Sequence, residues 1–121
     1  MKNVRIKYPT YFSEIEDIDN CNIDIFVELK GITFTLTVAT PSNYYWYMDK
    51  EGIDYIPAGS PDIIVRSMTK ENIELALKTY LDDNGYWLKV YILAWSGKGI
   101  FDIDKMNKMI EDKKKEFKDI L

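Results

Sequence analysis

The residues able to do chemistry in this sequence are carboxylates, tyrosines and one cysteine, because the 121-residue chain contains no histidine. That absence removes the commonest general base, the commonest metal ligand and every Ser-His or Cys-His nucleophile in one step. Zinc would be left with Cys21 and carboxylates, a poor structural set. Ser96-Gly97-Lys98-Gly99 resembles a phosphate loop, but such a loop needs glycine five residues before its Gly-Lys pair and Ser or Thr after the lysine. Ile92 and Gly99 stand at those places, so the segment reads as a connection. Asp82-Asp83, followed by Asn84-Gly85, reads as turn chemistry at a helix end rather than an acid/base pair. No catalytic residue, no metal site and no cofactor are expected, and the chain is read as a protein that acts by binding.

Two clusters suit binding. Tyr44-Tyr45-Trp46-Tyr47 places four aromatics in about one helical turn, so their side chains must fan around the helix and cannot all face one core. With Tyr44, Tyr47 and Met48 inward, Tyr45 and Trp46 fall on another side, as residues of the kind enriched at interface centres. The second cluster is Glu14, Glu16, Asp17, Asp19 and Asp24, punctuated by Tyr11, Phe12, Ile15 and Ile18. Acidic groups beside apolar anchors suit a basic protein partner, the charges steering encounter and the apolar groups retaining it. The expected partner-binding set is Glu14, Glu16, Asp17, Asp19, Tyr45 and Trp46, with Asp54 and Tyr55 from the proline-rich loop that follows.

Composition bounds the classes of partner. Sixteen basic against twenty acidic residues give a formal charge of -4, which argues against nucleic acid, whose binding is driven by clustered Lys and Arg. Hydrophobic residues at 46% and charged residues at 30% are a globular balance for one domain, residues 1–121. A lone Cys21 cannot form an internal disulfide, and Lys2, Arg5 and Lys7 precede no apolar run of signal-peptide length; both point to the cytoplasm. The most apolar stretch, 86–95, is too short to span a bilayer, so no membrane partner is expected.

These residues must be positioned by a small set of elements. NIDIFVELK, 22–30, alternates Ile23, Ile25, Val27 and Leu29 with polar residues, the period of a strand, and ITFTLTVAT, 32–40, repeats it with Ile32, Phe34, Leu36 and Val38. Gly31 closes the two into a hairpin. Thr40-Pro41 reads as an N-cap and first helical residue for a helix ending at Gly52. A loop, 53–61, precedes a short apolar strand in DIIVRS, 62–67. Thr69 caps a helix over 70–83, with Ile73, Leu77, Tyr80 and Leu81 on one face. YWLKVYILAW, 86–95, rich in β-formers and bounded by glycines, reads as a central or near-central strand. From Asp102 or Asp104 onward Ile103, Met106, Ile110, Phe117 and Leu121 form one stripe of an amphipathic helix whose lysines lie on a solvated face. The expected class is α+β in the order β-β-α-β-α-β-α, a single sheet of four or five strands with about three helices, Val4 and Ile6 offering one further strand.

The segments ITFTLTVATP and GIDYIPAGSPDIIVRSMTKENIELALKTYLDDNGYWLKVY, in a small acidic chain, resemble the small bacterial immunity proteins that accompany polymorphic toxins, including those of contact-dependent growth inhibition. The similarity covers 22–93 and rests on a scaffold pattern. It implies a non-enzymatic cytoplasmic protein that binds the toxin domain of its own lineage, a basic domain by the charge argument, and blocks it. Two other readings compete. The exposed aromatics would serve a self-associating structural or regulatory module through a homodimer interface, or carboxylates and tyrosines near Asp54 and Tyr55 would line the pocket of a small enzyme.

Overall fold

Alternation decides the centre of the fold. In the computed structural model, which describes residues 4–59, 61–96 and 102–118, β2 (Asn22–Leu29) and β3 (Ile32–Ala39) form an antiparallel hairpin. Lys30 and Gly31, the two residues of its connection, both have positive φ, the turn geometry that follows the natural twist of paired strands. The register sets Ile23 against Val38, Ile25 against Leu36 and Val27 against Phe34, and all six are buried on one face. β1 (Val4–Lys7) joins β2 antiparallel, and β4 (Ile63–Ile64) joins β3 in parallel beside Val38 and Ala39. The expected class holds: the described residues form one mixed sheet in the order β1-β2-β3-β4 with three helices. The further strand is Val4–Lys7.

Helices enter at both ends of β4. α1 (Pro41–Glu51) starts on proline and stops at Gly52, whose left-handed backbone sends its N–H to the Met48 carbonyl. The Thr40 side chain makes no cap bond to α1, although the residue's carbonyl accepts the Asn43 N–H at 3.0 Å. Thr40 is fully buried, and its hydroxyl instead accepts the Cys21 N–H at 3.2 Å and lies 3.4 Å from the Cys21 carbonyl, pinning the end of β3 to the start of β2. Thr69 does cap its helix, accepting the Asn72 N–H at 3.2 Å.

The segment 86–95 is helical, not a strand. α2 (Lys70–Ser96) is two helical runs joined by Asp82 in an extended conformation and by Asp83, Asn84 and Gly85, all left-handed. The first run therefore ends at Leu81, two residues before the end expected at Asn84-Gly85, because Asp82 and Asp83 already leave the helical conformation. In the second run Leu88 and Tyr91 are buried while Trp87, Lys89 and Val90 are exposed, which is a period of three to four and not of two. Apart from Lys89 the sequence there is apolar on both alternating sets, and such a run does not distinguish strand from helix. With four strands already in the sheet, the segment instead covers it: Ile73, Leu77, Leu88 and Tyr91 pack on the apolar face with Val65 and Met68. Each such fully buried aliphatic side chain contributes roughly 1.5–3 kcal/mol.

α3 (Ile103–Phe117) begins as expected at Asp102, whose carboxylate accepts the N–H groups of Asp104 and Lys105 at 2.9 and 3.2 Å. Residues 102–116 are exposed throughout, including Ile103, Met106, Met109 and Ile110. Lys113 and Lys114 pair with Glu116 and Glu111 along the helix, and both pairs are solvated and weak. Gly97 to Gly99 of the glycine-lysine segment lie outside the described residues. Among the described residues no helix is long and apolar enough to cross a membrane.

Candidate functional site

α1 carries the aromatic run and buries none of its residues completely. Tyr44 and Met48 are half-buried, one turn apart, and Tyr45 and Trp46 are 70% and 47% exposed. Tyr47, expected inward, is also on the exposed side. The Lys50 ammonium lies 5.0 Å from the centre of the Trp46 ring, holding one face of the indole without removing it from solvent. Residues 56–59 and 61–64 lie against the flank of α1 that carries Tyr44, Tyr45 and Met48. Together Pro41, Tyr44, Tyr45, Ile56, Pro57 and Ile64 line an open groove of about 620 Å³. Its floor is fixed by Tyr44, whose hydroxyl donates to Asp62 at 2.9 Å.

The acidic stretch is a loop after a short 3-10 turn at Phe12–Glu14. Phe12 and Ile15 pack on the edge of the core, while Glu14, Glu16, Asp17 and Asp19 are exposed. Asp17 accepts the Asp19 N–H at 3.1 Å, and Asp19 accepts the Ser67 hydroxyl. Asn43 of α1 donates to Asn20 at 3.3 Å and accepts from Asn22 at 2.8 Å. The acidic loop is thus joined to the N-terminal turn of the aromatic helix. Asp54 and Tyr55 follow the C-terminus of α1 and are exposed, and they do not line the groove. Of the groove's lining, sequence reasoning named Tyr45 but not Pro41, Ile56, Pro57 and Ile64. Pro41 opens α1 itself, whereas Ile56, Pro57 and Ile64 come back against the helix only on the return from α1 to β4, of which the prolines of 53–61 are the one local sign.

The site's own chemistry is that of neutral hydroxyls. Burial, then the hydrogen bond to Asp62, pushes the Tyr44 phenol well above its ordinary range. Burial, then Glu74 and Glu71, pushes Tyr8 up to about 12, and burial, then Tyr91, pushes Tyr80 up. Cys21 is likewise raised by burial and by Asp17 and Asp19, so its thiol stays protonated and a weak nucleophile. Among the described residues no three acidic or sulfur ligands converge on a point that could hold a metal. An unfolded tyrosine ionises near 10. Above that pH the unfolded chain has shed protons that the native chain keeps, so the contribution of these tyrosines to stability is level below about pH 10 and falls as pH rises towards 12. Denaturation midpoints measured across this range should decline, and less steeply in Tyr8→Phe/Tyr44→Phe. A midpoint that stays flat to pH 12 would contradict the assignment.

No protein-family model matches the chain, and no solved structure matches it. A stretch of 61 residues, 50% of the chain, is 34% identical to Partitioning defective 3 homolog B of Mus musculus. The match covers 5% of that protein, so the chain spans a small fraction of the curated relative it resembles.

Proposed function

We propose that this chain is a non-enzymatic protein-binding module whose contact surface is α1, the adjoining groove and the acidic loop, and that its partner is a basic bacterial toxin domain which it neutralises. The observation that carries the reading is the exposure of Tyr45 and Trp46 on a helix that buries nothing completely, beside an apolar groove rimmed by prolines. Large exposed aromatics around a pocket are what supply lifetime to a protein complex. The acidic loop, fastened to the same helix through Asn43, would meet the lysines and arginines of the partner and steer the approach.

The product of the neighbouring open reading frame is the partner to test, by expressing it with and without this chain. Growth restored by the chain, together with recovery of a complex, supports the reading; growth arrest unrelieved and no complex overturns it. With that complex in hand, Glu16→Lys/Asp17→Lys should slow association by about tenfold at low salt and far less at high salt, with dissociation little changed. An association rate identical to wild type at low ionic strength removes the acidic loop from the surface.

A further inference from the structure

The two edges of the sheet are built differently. β1 is four residues long and carries Arg5 and Lys7, the charges with which natural edge strands discourage pairing. At the other side β4 covers β3 only at Val38 and Ala39, leaving the 32–36 part of β3 as a second edge. That strand, ITFTLTVA, contains no charge, no proline and no glycine, and none of the usual guards of an edge.

The open groups can be assigned from the ladder. The Ala39 carbonyl accepts the Val65 N–H on the β4 side at 3.0 Å, and the Thr37 N–H, also turned away from β2, donates to the Tyr91 hydroxyl at 2.9 Å. Backbone groups of alternate residues point the same way in an antiparallel ladder, so the N–H and C=O of Thr35 and Thr33 face the open edge as well. Among the described residues nothing pairs with them. Thr33 is exposed, and beside it Ile32, directed to the core side of the sheet, is 59% exposed.

We propose that this edge is a homodimer interface: β3 of one chain pairs antiparallel with β3 of a second copy about Phe34, joining the two sheets into one. Thr33 of each copy then stands opposite Thr35 of the other, which returns to itself under a two-fold rotation. Both N–H and both C=O groups of each strand find partners. The threonine side chains pair across the junction on the outer face, a favourable cross-strand contact, and Ile32 comes to lie opposite Leu36 of the second copy. An uncharged, self-complementary segment selects another copy of itself over a charged strand. The junction sits at the end of β3 remote from α1, so it leaves the groove open, and its success or failure is independent of the toxin-binding reading.

Sedimentation equilibrium should show the mass moving from one chain to two as concentration rises, while amide exchange at Thr33 and Thr35 slows. Thr35→Pro deletes an N–H that faces away from β2, so the dimer should be lost with the circular dichroism unchanged. Should proline disturb the strand, Thr33→Lys/Thr35→Lys sets like charges across the junction and should abolish the dimer equally. A wild-type chain of single mass at every accessible concentration overturns the proposal. So does a dimer that survives the lysine variant with exchange at Thr33 and Thr35 independent of concentration.

Discussion

Trp46→Ala is expected to leave the chain folded and to weaken its complex with a protein partner by about 2 kcal/mol or more, about 30-fold in affinity. The indole is 47% exposed, and among the described residues its ring contact is the Lys50 ammonium at 5.0 Å, worth roughly 0.5–1 kcal/mol at such a site. Folding therefore has little to lose. In a complex the same ring would be wholly removed from water, and most of the loss should appear in the dissociation rate. Kinetic binding of the captured partner, alongside thermal denaturation, separates the two effects. A folded variant with wild-type affinity would show that Trp46 lies outside the contact surface.

The second large effect concerns the segment 86–96. Leu88→Ala should destabilise the fold by about 2–5 kcal/mol, because Leu88 is completely buried between α2 and the sheet and its truncation leaves a cavity. Val90→Ala, at a side chain 36% exposed, should cost about 1 kcal/mol or less. The contrast tests the helix itself. A strand would place residues 88 and 90 on one face and make the two variants equally costly, whereas the helix makes them differ by a factor of two or more in urea denaturation.

The unequal legibility of this sequence has a physical cause. The hairpin was readable since Ile23, Ile25 and Val27 alternate with Asp24, Phe26 and Glu28, and only one of the two faces can be wet. Residues 86–95 offer little of that contrast: against Tyr86, Leu88, Val90 and Ile92 the other set holds Trp87, Tyr91 and Leu93 with Lys89 as its one charge, so periodicity is nearly silent and β propensity alone misdirects. What made the segment a helix was the demand for a cover over the sheet, which no local window contains. Likewise four successive aromatics announced that some must be exposed, and Tyr45 and Trp46 are. The groove beside them depends on where β4 returns the chain, and the open edge of β3 depends on β4 being two residues long. Both are consequences of pairing across the molecule. Asp54 and Tyr55 adjoin Ile56 in the chain, but the groove's lining begins at Ile56 and does not include them.

The wall of that groove is fastened at its two ends, by the Ile53 N–H on the Met48 carbonyl at 3.0 Å and by Asp62 on Tyr44. Between them the described residues make no hydrogen bond to the rest of the chain, so shape there is set by covalent restriction, with Pro57 and Pro61 each fixing a backbone torsion. Restriction of this kind lowers the number of conformations the free wall can visit. Closing it upon a partner consequently forfeits less disorder than an equally long glycine-rich loop would, and the free-energy gain of contact is spent less on ordering the receptor.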